Sequence, residues 1–208
     1  MQIDHKVAQL LVSRVCHDLA GGVNALSVGA QLLGDDPNMI DDEALNVIAM
    51  SARQSTGRLA FFRIAFGVGG GGDETIATAE LKTLVDDYLQ GGRVSLVWRA
   101  APGRVAMTAG QFLLNMVLIG SEALPRGGVV SVDVSKMDGQ LGFAVAAKGR
   151  GAVLRSDLVD AMRLDVDPAA LSARTVHGFL TVILARSLAA EMEYASMGTD
   201  EIHLAAMM

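Results

Sequence analysis

Apolar positions in the first third of the chain recur at helical spacing. Val7, Leu11, Val15, Leu19, Leu26 and Leu33 form one stripe, the period of a helix with one buried face. Gly34-Asp35-Asp36-Pro37-Asn38 supplies helix breakers and turn chemistry. Asp41, Asp42 and Glu43 suit a second helix start, since carboxylates favour the positive end of the helix dipole. Leu45, Ile48, Ala52, Ser55, Leu59, Phe62 and Phe66 follow at alternating spacings of three and four, which is a heptad seam. The pattern predicts a helical hairpin. One hairpin cannot bury both stripes, whereas two paired as a four-helix bundle can, so a homodimer is expected.

Residues 67–73 read GVGGGGD, a flexible linker composition. It divides the chain into a hairpin at 1–66 and a longer part at 74–208. The second part mixes periods. Thr78 to Leu89 reads as a helix, Val94–Arg99 alternates like a strand, and Val105–Met107 predicts a short one. A helix is expected from Thr108 to Leu124, then a turn at Pro125-Arg126-Gly127-Gly128. Val129–Ser135 and Leu141–Ala147 form a hairpin around Met137-Asp138-Gly139. Ser156–Arg163 is helical, and Asp167-Pro168 opens helical periodicity that runs on, with room for a break, to about Ala190. Met192–Ser196 and Glu201–Ala205 close the chain as a second hairpin. Helices alternating with mostly antiparallel strands predict an α+β fold, a two-layer sandwich behind the helical hairpin.

Composition narrows the function classes. The 208 residues are 51% hydrophobic and 19% charged, which excludes a disordered chain. A net charge of −6 and the lack of a Lys/Arg block argue against a nucleic-acid binder. The longest apolar run, Phe112 to Gly120, is interrupted by Asn115 and is far short of the ~20 residues of a spanning helix. No membrane association is expected. The N-terminal MQIDHK lacks a basic region followed by an apolar stretch, so a cytoplasmic location is the expectation. A single cysteine excludes an intramolecular disulfide framework and a multi-cysteine zinc site.

Of the four histidines, His5 falls at the terminus and His203 in the final strand, where bland roles suffice. His17 sits on the side of helix 1 away from the apolar stripe, at about 100° per residue. Ser13, Arg14, Gly21 and Asn24 share that side. Two mid-helix glycines, Gly21 and Gly22, cost roughly 1 kcal/mol each and would leave room for another protein to approach the imidazole. A solvated surface histidine and an exposed nucleophile both fit this spacing. Asp18, next in sequence, would orient the ring and raise its basicity given a favourable rotamer. Cys16 is expected to be a small packing residue, and no metal site is expected around it.

Residues 13–26, SRVCHDLAGGVNAL, resemble the phosphoacceptor segment of sensor histidine kinases. The run Ser-Arg-Val-Cys-His-Asp-Leu is more similar still to the ChpT-type histidine phosphotransferases of alpha-proteobacteria, and the resemblance extends over nearly the whole chain. It departs at Gly21-Gly22, where many relatives carry proline. The second part resembles the kinase ATP-binding domain with its chemistry removed. Asn115, Pro125, Gly127 and Gly128 keep register with the first nucleotide box, but the second asparagine position, which helps hold Mg²⁺, is Ile119. Isoleucine offers no oxygen ligand. In the next box Gly149 and Gly151 persist around Lys148 and Arg150, but the adenine-binding aspartate position is Ala147. Thr175-Val176-His177-Gly178-Phe179 replaces the last glycine-rich loop, and His177 there reads as a cap or surface residue.

The resemblance implies a histidine phosphotransferase. A phosphoryl group would pass from the aspartate of a donor hybrid kinase's receiver domain to His17, and on to the aspartate of an acceptor response regulator. Asp18 would orient His17, and Ser13, Gly21 and Asn24 would meet the partner. Arg14 would either steady the phosphate or make a surface salt bridge. The chain would bind no cofactor, Mg²⁺ being carried by the receiver. Asn115, Ile119, Ala147, Gly149 and Gly151 would mark a degenerate nucleotide pocket. A live autokinase is the reading that Ile119 and Ala147 oppose. A pseudokinase scaffold, binding response regulators without taking their phosphate, is the third.

Overall fold

A computed structural model describes residues 4–32, 42–67, 74–137, 139–163 and 165–208. The expected loop at 34–38, Asp41, most of the 67–73 linker and Asp138 lie outside the described residues. Two long helices, α1 (His5–Leu32) and α2 (Asp42–Ala65), pack along each other. Asp42 and Glu43 lie in the first turn of α2 and Arg63 in its last, the charge order that complements the helix dipole.

The second part is a helix layer on a sheet. A small sheet pairs β1 (Thr75–Ala77) with β3 (Arg104–Ala106). The main sheet has five strands in the order β2-β4-β5-β7-β6. They are β2 (Val94–Ala100), β4 (Gly128–Met137), β5 (Gln140–Lys148), β6 (Glu191–Ser196) and β7 (Glu201–Met207). Among the described residues only the β2–β4 pair is parallel. A parallel pair needs a crossover, and α4 (Met107–Glu122) provides it. Strand β1 was absent from the sequence reading because three residues carry too little period to register. Met107 begins α4 rather than ending a strand.

The strands obey period-two burial. Val130 and Val132 of β4, Phe143, Val145 and Ala147 of β5, and Ile202, Leu204 and Ala206 of β7 all point inward. Register places Val132 opposite Val145, and Val145 opposite Leu204, making one row across the sheet. Helix α4 lies over that row, buried all round from Ala109 to Gly120, as a helix apolar on every side must be. Gly120 permits the approach, since a Cβ there would stand 3.1 Å from Val145 Cγ1. Each large apolar side chain buried here contributes about 1.5–3 kcal/mol.

Helices α3 (Thr78–Leu89) and α6 (Val176–Ser187) flank α4. The short α5 (Ser156–Ala161) packs on α6. The expected long helix after Asp167 breaks in two. Asp167 accepts from Ala169 N–H at 2.8 Å and caps a 3-10 turn, Pro168–Ala170. A turn at Ser172–Thr175, with Ser172 N–H donating to Thr175 Oγ1 at 3.1 Å, then sets the start of α6.

The hairpin and the sandwich share one hydrophobic core. Val7, Leu11, Phe61, Phe62 and Ala65 join the same buried cluster as Phe112, Leu113 and Val176. Tyr88 of α3 stacks on Phe61 at 4.2 Å between ring centroids and meets Phe62 edge-on at 5.8 Å. The contact is also polar. Gln111 Nε2 donates to the carbonyls of Ile64 and Gly67, and Asn115 Nδ2 to that of Ala65 at 2.9 Å. These carbonyls close the C-terminal end of α2, where a helix lacks internal donors.

Candidate functional site

Helix α1 has two working faces. Val7, Leu11, Arg14 and Asp18, at spacings of four, three and four, run along the face turned to the sandwich. His17 lies off that stripe. Its side chain is 76% exposed, and its Nδ1 stands 3.1 Å from Asp18 Oδ1. The rotamer needed for adjacent helical residues to meet is therefore adopted. A carboxylate only accepts, so this contact favours the neutral tautomer with its proton on Nδ1, in which Nε2, the nitrogen remote from Asp18, keeps its lone pair. Ser13, Gly21 and Asn24 are exposed on the same side. Gly21 has open space where a Cβ would stand, whereas a Cβ at Gly22 would meet Ser55 Oγ at 2.2 Å. The two glycines thus differ: Gly22 lets α1 and α2 close together, and Gly21 leaves the histidine face open.

Arg14 is not on the open face with His17. It is 8% exposed, and its guanidinium is engaged on every nitrogen. Nε donates to Asp18 Oδ2 at 2.7 Å. One terminal nitrogen pairs with Glu122 Oε1 at the end of α4. The other stands 3.5 Å from both the Arg174 carbonyl and His177 Nδ1. Burial works against the Arg14 charge, but the Glu122 and Asp18 carboxylates outweigh it and hold the group firmly protonated. Burial moves Glu122 the other way, raising it above the ordinary glutamate range despite the attraction of Arg14. Arg58 of α2 adds a bond from its guanidinium to the Asp18 carbonyl at 3.0 Å.

His177 is fully buried rather than a cap or surface residue. It faces inward in the first turn of α6. Guanidinium cannot accept, so His177 Nδ1 is the bare nitrogen and the proton sits on Nε2. Nε2 lies 3.4 Å from Glu122 Oε2, short of hydrogen-bond geometry. Burial, then the nearby Arg14 and Arg155 charges, push its pKa well below the usual imidazole value. Cys16 is exposed, not packed, because the residue before His17 also falls off the buried stripes. His5 opens α1 in solvent, and His203 on β7 pairs with Glu201 at 2.7 Å.

Asn115, Ile119 and Ala147 are each fully buried. Asn115 spends its amide protons on Ala65 and Gln111, and its Oδ1 has no partner among the described residues. A Cβ at Gly127 would meet the Arg93 carbonyl at 2.4 Å, one at Gly128 the Lys148 carbonyl at 2.3 Å, and one at Gly149 the Gly127 carbonyl at 2.3 Å. These glycines let neighbouring loops touch backbone to backbone. Gly151 is exposed, and its N–H donates to Asp200 Oδ1 at 2.7 Å. Among the described residues no group of three His, Cys, Asp or Glu side chains could hold a metal, and no helix is long and apolar enough to cross a membrane. Glu122, Arg58 and the burial of His177 escaped the sequence reading. The available signals were the i,i+4 pairing of Arg14 with Asp18 and a lone carboxylate closing an otherwise apolar helix.

The chain is 29% identical over 191 residues to protein phosphotransferase ChpT of Brucella abortus (strain 2308), covering 92% of this chain and 90% of that one. The solved structure of a bacterial phosphotransferase superposes with a TM-score of 0.83 at 27% identity, covering 99% of this chain and 98% of the other. The histidine kinase domain of a blue-light-activated kinase from Erythrobacter litoralis shares the fold, with a TM-score of 0.50 at 17% identity over 91% of this chain and 95% of that one. The family model for the histidine phosphotransferase C-terminal domain matches residues 78–200, more than half of the chain, which therefore belongs to the histidine phosphotransferase family.

Proposed function

We propose that this phosphotransferase carries a phosphoryl group between receiver-domain aspartates on His17, with no nucleotide of its own. The observation that carries the reading is the exposed imidazole whose Nδ1 stands 3.1 Å from Asp18 Oδ1, the contact that favours a proton on Nδ1 and a lone pair on Nε2. The Nε2 lone pair attacks the phosphorus of a receiver's aspartyl phosphate. The N–P bond forms as the P–O bond breaks, and the aspartate leaves as a carboxylate. The ring keeps its Nδ1 proton and takes on positive charge, which Asp18 offsets through a charge-assisted hydrogen bond. The reverse step charges the second receiver. In-line positioning and the receiver's own Mg²⁺ supply the rest of the catalysis.

Ser13, Gly21 and Asn24 form the landing surface, open because Gly21 carries no side chain. The buried Ile119 and Ala147 oppose an ATP site, since neither side chain carries an oxygen ligand or an adenine acceptor. The chain works as a homodimer. Leu45, Met50 and Leu59 of α2 and Val12, Val23 and Val28 of α1 are all more than 40% exposed in the single chain, and a second hairpin would cover such an apolar face. The receivers it serves place it in the cytoplasm.

The test is transfer from a receiver carrying labelled phosphate, with His17→Ala beside wild type. Label reaching wild type alone, acid-labile and alkali-stable, is the expected result. Binding of several cognate receivers without transfer overturns the relay in favour of a scaffold.

A further inference from the structure

The polar cluster between α1, α4 and α6 does more than join two layers. A continuous chain of contacts leads from the sandwich to the exposed imidazole. Glu122 Oε1 pairs with Arg14. Arg14 Nε donates to Asp18 Oδ2 at 2.7 Å. Asp18 Oδ1 faces His17 Nδ1 at 3.1 Å. From Glu122 to His17 each link of this chain uses a different atom of Arg14 and of Asp18. Asp18 spends one oxygen inward and one outward, and its side chain is only 18% exposed although its neighbour His17 is 76% exposed. The inward bond is what turns the carboxylate so that its other oxygen meets the ring. His177 Nδ1 and the Arg174 carbonyl, each 3.5 Å from the remaining Arg14 nitrogen, hold the guanidinium from the α6 side.

We propose that Glu122 and Arg14 are positioning residues for phosphotransfer, through which the sandwich locks Asp18 and thereby fixes the Nδ1–H tautomer of His17. This deepens the phosphorelay reading and rests on it for its kinetic consequence. The tautomer itself is independent of any partner. A free imidazole exchanges between two neutral tautomers, and the one protonated on Nε2 has no lone pair there for the attack on phosphorus. By this chain the sandwich takes part in a reaction whose histidine stands on the hairpin.

Two variants break the chain at different bonds. Glu122→Gln keeps the shape of the side chain and removes its charge. Arg14→Lys keeps the charge and loses the planar fork that reaches two carboxylates at once. The first readout is the side-chain ¹⁵N spectrum of His17 in the full-length protein at about pH 9, above the ordinary imidazole pKa. Wild type is expected to show the Nδ1–H form, and both variants a shift toward the mixed tautomers of a free imidazole. The second is saturation kinetics with a phosphorylated receiver. The maximal transfer rate is expected to fall about tenfold, with the half-saturating receiver concentration changed less than twofold. A folded variant with the wild-type ¹⁵N pattern, or with a maximal rate within twofold of wild type, overturns the positioning role. Wild type that accepts no phosphate from any receiver overturns the phosphorelay reading instead, and the ¹⁵N spectra still decide whether the chain sets the tautomer.

Discussion

Lowering the pH from 7.5 to 5.5 should weaken this protein through His177. His177 is wholly buried, with its bare Nδ1 3.5 Å from the Arg14 guanidinium. Burial, and then the Arg14 and Arg155 charges, push its pKa well below the usual imidazole value, although Glu122 Oε2 lies 3.4 Å from Nε2, because that carboxylate is already paired with Arg14 through its other oxygen. The unfolded chain titrates near 6.5 and binds the extra proton first. Stability therefore rises with pH across this window and is lost as pH falls below about 6.5. A folded state that stays neutral throughout sets the ceiling on the loss between pH 7.5 and 5.5 at RT ln(11/1.1), about 1.4 kcal/mol. For a chain of this size that is roughly 3–6 °C in Tm. Glu122 works in the opposite sense. Its raised pKa means that the folded state binds the extra proton above 4.5, so its contribution declines as pH rises. The difference between wild type and His177→Gln separates the two. Urea titrations at pH 7.5 and 5.5, at fixed protein concentration, should show wild type losing more than the variant, by up to about 1.4 kcal/mol. Parallel losses, within about 0.3 kcal/mol, would refute the buried neutral imidazole.

Two further outcomes follow from single contacts. Gly21→Ala should raise stability by about 0.5–1 kcal/mol, because the methyl meets nothing within 4 Å and a mid-helix glycine is removed. The same methyl stands on the His17 face and should slow transfer from a receiver; an unchanged rate in single-turnover assays would show that the partner does not approach there. Asn115→Ala should cost about 1–3 kcal/mol by urea titration, since it leaves the Ala65 carbonyl buried without its donor. A loss under about 0.5 kcal/mol would mean that this amide does not tie α2 to the sandwich.

The hairpin was legible because its stripes are long and strictly periodic, and the main strands because they alternate cleanly over six residues or more. The short β1, and the break between Pro168 and Val176, left weak marks: three residues carry no period, and a hydroxyl turn looks like continued helix. At the site, the exposure of His17 follows from the 100° step alone. The place of Arg14 does not. Its position fits the open face almost as well as the buried one, and the choice turns on a carboxylate 108 residues away.

From its order of residues, then, the chain specifies which helix bears the histidine and which side of that helix it leaves open, because periodicity and side-chain chemistry are local properties. The burial of His177, the capture of Asn115 by the end of α2 and the bonds from Glu122 through Arg14 and Asp18 to His17 were decided only by tertiary structure. An ion pair or a buried donor depends on what lies opposite in space, and only the packing of α1 and α2 against α4 and α6 brings those groups within reach.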